Sequence, residues 1–133
     1  MAFTFRKEEH LCSRRLIDQL YAEGHRLMAF PYSVQWMIVP DVSANLAPCQ
    51  VMIVAPKRKF KHAVDRNRVR RLSRECYRHR KETLYNFLQE QGLSIVFSMV
   101  YVHNEIMPYE QLEHKMDKML AALETDIKNK LEL

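Results

Sequence analysis

The chain has 133 residues, a net charge of +5, two glycines and an apolar content of 47%. That is enough to bury one core, and too little glycine for a phosphate-cradling loop; no apolar run approaches the eighteen or so residues of a membrane span. The N-terminal MAFTFRKEEHLCSRR is charged within six residues and has no apolar h-region, and Cys12, Cys49 and Cys76 are odd in number and far apart, so no secretory signal, disulfide framework or zinc cluster is expected.

The elements follow in chain order. A first helix is predicted from Ser13 to Glu23, with Ser13 as N-cap, Gly24 as a left-handed C′ residue, and one apolar stripe of Leu16, Ile17, Leu20 and Tyr21. YSVQWMIV (32–39) reads as a strand ended by Pro40. DVSANLAP is a polar turn, and QVMIVA (50–55) reads as the next strand, so the two suggest an antiparallel hairpin. KRKFK (57–61) reads as a loop. From about His62 a helical period sets in, with Val69, Leu72 and Cys76 inward and Arg66, Arg70, Arg74, Tyr77 and Lys81 on another side. The apolar phase shifts after Lys81, which predicts a bend or a second short helix closed by Gly92. SIVFSMVYV (94–102) reads as a central strand. An additional short strand is allowed around residues 103–107. Pro108 opens a last helix with Leu112, Met116, Met119, Leu120, Leu123 and Ile127 on one face. The whole is expected as a single domain over residues 1–133, of α+β class, with helices against a small sheet and the ends 1–10 and 128–133 loosely held.

The charge is distributed unevenly. Residues 57–81 hold twelve lysines and arginines against Asp65 and Glu75, so this segment carries +10 and the remainder −5. A solvated helix face usually mixes signs, as the last helix does; this one is almost purely cationic. A DNA-reading helix-turn-helix belongs to a short helical bundle, whereas this helix is flanked by strands. A helix that grips structured RNA fits better, because arginine forks bind phosphates and stack on exposed bases. No acid–base pair, nucleophile motif or metal cage is visible; Asp65 and Glu75 read as local charge partners, Glu75 with Arg71 or Arg78.

VMIVAPKRKFKHAVDRNRVRRLSRECY (51–77) resembles the signature of the bacterial ribonuclease P protein subunit. That signature runs Ala-Val-x-Arg-Asn-Arg-x-(Lys/Arg)-Arg-x-x-Arg-Glu after a strand and a basic turn. Ala63, Val64, Arg66, Asn67, Arg68, Arg70, Arg71, Arg74 and Glu75 all match it. The likeness extends more loosely over residues 11–125. It implies a small α/β sandwich of the ribosomal-protein-S-five second-domain type, in the order α-β-β-α-β-(β)-α with a left-handed βαβ crossover. It implies a cytoplasmic protein that assists removal of the 5′ leader of precursor tRNA by a catalytic RNA. Its partners would be that RNA and precursor tRNA, with no membrane and no DNA. Magnesium would be held mainly by the RNA, with none bound by the protein alone and no catalytic residue on it. The resemblance assigns RNA contacts to Lys57, Arg58, Lys61, Arg66, Asn67, Arg68, Arg70, Arg71 and Arg74, and a leader-binding cleft to Ile17, Tyr21 and Tyr32. The chain departs from the family pattern at Ile17, where Phe is frequent, and at Pro56, where Ser is frequent. Its basic turn is one residue longer and lacks the family's glycine, and no basic segment follows the apolar strand. The alternative expectation is another structured-RNA or ribosome-binding module on the same fold.

Overall fold

YSVQWMIV and SIVFSMVY, two eight-residue runs rich in β-branched and aromatic residues, pair antiparallel at the centre of a four-stranded sheet. The computed structural model describes residues 5–39 and 48–133. A 3₁₀ turn, Lys7–Glu9, precedes α1 (Arg14–Glu23), β1 (His25–Ala29), β2 (Tyr32–Val39), β3 (Cys49–Val54), α2 (Ala63–Arg80), α3 (Glu82–Gln91), β4 (Ser94–Tyr101) and α4 (Tyr109–Leu131). The strand order is β1-β2-β4-β3, with β3 parallel to β4 and the other pairs antiparallel.

The α+β architecture is the one the sequence predicts, but the pairing differs. The expected hairpin between residues 32–39 and 50–55 does not form, because β4 lies between β2 and β3. An almost uninterrupted apolar strand needs cover on both faces and partners on both edges, and β4 finds both in the interior. The hairpin belongs instead to β1 and β2, which turn at Phe30 and Pro31. HRLMA escaped sequence reading because this short edge strand is largely exposed and carries His25 and Arg26. The strand allowed at 103–107 is an irregular turn, where the Tyr101 hydroxyl donates to the Glu105 carbonyl (2.7 Å) and accepts from Met107 N–H (3.1 Å). The polar turn expected at 41–48 lies, apart from Pro48, outside the described residues.

Strand alternation divides the sheet into two faces. Tyr32, Val34 and Trp36 of β2, with Ile95, Phe97, Met99 and Tyr101 of β4, bury against α2, α3 and α4. Leu112, Met116, Met119, Leu120, Leu123 and Ile127 supply the apolar face of α4, and all six are buried. Burial of such side chains contributes about 1.5–3 kcal/mol each. Trp36 also donates its indole N–H to Asp126 of α4 at 2.7 Å.

On the other face, Leu16 and Leu20 of α1 cover Met37, Val39 and Val96. Ser13 caps α1 as expected, accepting from Leu16 N–H. Gly24 is not left-handed: its φ of −66° and ψ of 151° are extended. Close approach requires the glycine here, since an added Cβ would sit 2.5 Å from the Leu20 carbonyl oxygen and 3.2 Å from that of Trp36. Left-handed backbone falls instead at Gly92, which ends α3 with φ of 66°.

Residues 7–11, partly within a terminus expected to be loose, run along the outer edge of β3. Leu11 N–H donates to the Val51 carbonyl at 2.9 Å, and Gln50 Nε2 donates to the Glu8 carbonyl at 3.1 Å. This strap shields an edge that would otherwise present unpaired backbone. It is pinned by Glu9, a buried carboxylate that accepts from Lys81 Nζ, from the Tyr85 hydroxyl (2.5 Å) and from Arg6 N–H (2.6 Å). Burial alone would raise the Glu9 carboxyl; those hydrogen bonds and the Lys81 charge outweigh it and hold the group below its ordinary value.

Two outcomes follow. Gly24→Ala should lower unfolding stability by about 1–3 kcal/mol in urea titration, through overpacking of α1 against β2; an unchanged midpoint would contradict the close approach. Because the Glu9 pKa is depressed on folding, its stabilisation is present above the unfolded carboxylate pKa of about 4.3 and is lost as pH falls through the lower folded value. Glu9→Gln should therefore cost about 3 kcal/mol at pH 7 and flatten the acid limb of the stability curve. A variant with the wild-type acid limb would show that the pair does not govern it.

Candidate nucleic-acid interface

The orientation of α2 decides which of its charges are available. Val69, Ser73, Cys76 and Tyr77 face the sheet and are buried. Tyr32 donates its hydroxyl to Ser73 Oγ at 2.6 Å, and the Tyr77 hydroxyl lies 3.4 Å from Cys49 Sγ. Burial pushes the Cys49 thiol up to about 12, so it stays neutral and serves as packing. Tyr77 and Lys81, expected on the cationic side, are turned inward, and Lys81 is the partner of Glu9. The helical period holds as far as Arg80, but the buried face is rotated toward Ser73 and Tyr77, with Leu72 at its margin, and Lys81 lies at the break that follows.

With that rotation, Asn67, Arg68, Arg71 and Arg74 project into solvent and Arg66 and Arg70 are half-buried. Lys57, Arg58 and Lys61, on the turn before the helix, are also exposed. No acid stands within ion-pair distance of these side chains among the described residues. Asn67 Oδ1 accepts from Arg70 within the helix. Arg66 Nη1 donates back to the carbonyls of Phe60 and Lys61, both at 2.9 Å.

The far end of α2 is neutralised internally. Arg78 and His79 meet Glu75 at 2.6 and 3.1 Å, and Arg80 reaches Glu113 and Asp117 of α4, each at 2.9 Å. The Arg78 hydrogen bond holds Glu75 below the usual carboxylate range. Arg78 is thus the Glu75 partner among the two expected. The twelve-base segment resolves into a free cationic patch over residues 57–74 and a paired region beyond it.

The expected cleft residues do not come together. Ile17 is half-buried and Tyr21 is 41% exposed on α1. Tyr32 is fully buried on the opposite face of the sheet, under α2, and so is not part of a cleft beside α1. Strand alternation puts Ser33 there instead. The register aligns Met28, Ser33, Val100 and Val54 in one row across the four strands. Met28 is exposed and the other three half-buried, so this row, apolar but for Ser33, forms a floor that α1 only partly covers. Period two was legible in YSVQWMIV; which of its faces met the helices was not. Val54 is followed after Ala55 and Pro56 by Lys57, so the floor runs into the basic turn. Among the described residues no group of three His, Cys, Asp or Glu side chains is placed to hold a metal ion.

Comparison with known proteins gives a consistent picture. A family model described as Ribonuclease P matches residues 5–124. The ribonuclease P protein component of Porphyromonas gingivalis is 31% identical over 121 residues, covering 91% of this chain and 87% of the relative. That of Chlorobium phaeobacteroides is 26% identical, covering 88% and 86%. The fold is similar to that of the Staphylococcus aureus RNase P protein (TM-score 0.61, 14% identity, 86% and 94% covered). It is also similar to the RNase P protein from Thermotoga maritima (TM-score 0.60, 18% identity, 84% and 94% covered).

Proposed function

The chain belongs to the ribonuclease P protein family, and we propose from the geometry above how it serves that enzyme. Its role is that of a protein subunit of an endoribonuclease that processes the 5′ ends of tRNAs. In our reading the catalytic RNA performs the hydrolysis, and the magnesium ions that the chemistry uses are held mainly by that RNA. The protein supplies binding energy on two contiguous surfaces. Cytoplasmic residence is part of the same reading; among the described residues no helix is long and apolar enough to cross a membrane.

One observation carries the proposal. Lys57, Arg58, Lys61, Arg68, Arg71 and Arg74 form a cationic patch without acid partners among the described residues, within the span that the family model matches. Clustered cations repel one another in the free protein, and phosphates relieve that repulsion while releasing condensed counterions. Arginine adds a planar fork that engages phosphate oxygens in pairs. The second surface is the floor of Met28, Ser33, Val54 and Val100 beside Ile17 and Tyr21. A single-stranded leader laid there would stack a base on the exposed Tyr21 ring and pack others on the apolar row. Because Val54 leads into the basic turn, a strand crossing the floor would reach the cations at its end.

The protein should bind the catalytic RNA with an affinity that falls steeply with salt. Arg68→Ala with Arg71→Ala should weaken binding by about 1.5–3 kcal/mol per lost contact and reduce the slope of log affinity against log salt by about 2. Tyr21→Ala should weaken only precursor tRNAs that carry a leader, whereas Tyr32→Phe should lose stability and leave leader dependence intact. Salt-independent affinity, or leader dependence that ignores Tyr21 and follows Tyr32, would defeat this reading.

A further inference from the structure

The motif Arg66-Asn67-Arg68 does not present three equivalent side chains. Arg68 is exposed and makes no hydrogen bond within the described residues, Asn67 accepts from Arg70, and Arg66 folds back over the start of its own helix. We propose that Arg66 is a positioning residue that clamps the 57–61 turn to α2, and that it acts on RNA through Lys57, Arg58 and Lys61 instead of as a phosphate ligand. This rests on the reading of the patch as an RNA grip.

Three observations support the clamp. The turn has no glycine, and the positive φ angles among the described residues fall only at Gly92 and Glu132, so it closes without left-handed backbone. Its closure relies on Pro56, whose carbonyl accepts from Lys59 N–H (3.1 Å) and Phe60 N–H (3.3 Å). Those two bonds hold the amides of Lys59 and Phe60 to one acceptor, and the carbonyls at the turn's exit, Phe60 and Lys61, are those that Arg66 holds at 2.9 Å. One side of the anchor is rigid, since the Phe60 ring is buried and lies 5.9 Å from that of Tyr101.

Electrostatics also favours this direction. Arg66 lies in the first turn of α2, where the helix dipole disfavours a cation. The N-cap residue, His62, gives the helix no side-chain cap. Carbonyl dipoles at both Nη1 hydrogens offset that penalty and leave the group half-buried. The clamp thereby brings three turn cations and the exposed Arg68 and Arg71 into one fixed array, so less conformational freedom is lost when the patch closes on phosphates. Lys59, whose Nζ meets Asn104 Oδ1 at 3.3 Å, braces the turn from its other side.

A double-variant cycle separates clamp from ligand. Affinity for the catalytic RNA would be measured for wild type, Arg66→Gln, a turn variant with Lys57→Ala, Arg58→Ala and Lys61→Ala, and the combination. Arg66→Gln should weaken wild-type binding about tenfold, and the turn variant by less than about twofold more. Equal losses in both backgrounds would make Arg66 a direct ligand and overturn the proposal. Hydrogen exchange in the free protein gives an RNA-independent readout. The amides of Lys59 and Phe60 should exchange at least about tenfold faster in Arg66→Gln, with those of β4 unchanged; unchanged turn exchange would equally overturn it. Wild-type binding no tighter than that of the turn variant would instead count against the patch as an RNA grip, while the exchange result still decides the clamp.

Discussion

The rotation of α2 about its own axis is the constraint on which the rest depends. Val69, Ser73, Cys76 and Tyr77 have nowhere to go but the sheet, and two buried polar contacts, Tyr32 to Ser73 and Tyr77 to Cys49, fix the helix against β2 and β3. A helix turned by one residue would leave those hydroxyls unsatisfied in an apolar layer, at about 1–3 kcal/mol each. Once the rotation is fixed, the directions of Arg68, Arg71 and Arg74 follow from helical geometry. The cationic surface is thus a consequence of core packing on the opposite side of the same helix.

Charge is sorted along this helix as well as around it. Acids from α4 and Glu75 meet Arg78 and Arg80 in its last turns, and Glu9 meets Lys81 at its end, so that part belongs to the folded body. The helix up to Arg74 and the preceding turn have no such partners among the described residues. The protein therefore keeps its repulsion in one place, next to a partly covered strip of sheet. A polyanion that neutralises the patch removes a cost that the free protein carries, which couples affinity to ionic strength.

Much of this was legible in the sequence where one strong periodic signal decided the outcome. The bounds of β2, the buried face of α4 and the break near Lys81 all followed from apolar spacing. Tertiary partners were less accessible. β1 is too short and too polar to announce itself, and the neighbour of β2 was set by the strand that most needed burial, β4, not by proximity in the chain. Tyr32 and Tyr77 are the instructive cases: an aromatic residue near a basic or cleft segment reads equally as a stacking platform or as core, and both proved to be core. The sequence suggests a left-handed C′ residue at Gly24, whereas contact distance and not φ excludes a side chain there. Arg66 shows the same limit. Spacing matched it to a motif, but only the folded backbone revealed which of its neighbours it holds.

On the proposed reading, the protein contributes to tRNA maturation by binding RNA on two adjoining surfaces. The direct measurement is reconstitution with the catalytic RNA of ribonuclease P, following leader removal from precursor tRNA at a magnesium concentration too low for the RNA alone. The protein should restore cleavage at the mature 5′ end, and the protein freed of RNA should cleave nothing. A cleavage rate that is the same with and without the protein, or cleavage by the RNA-free protein, would contradict the claim.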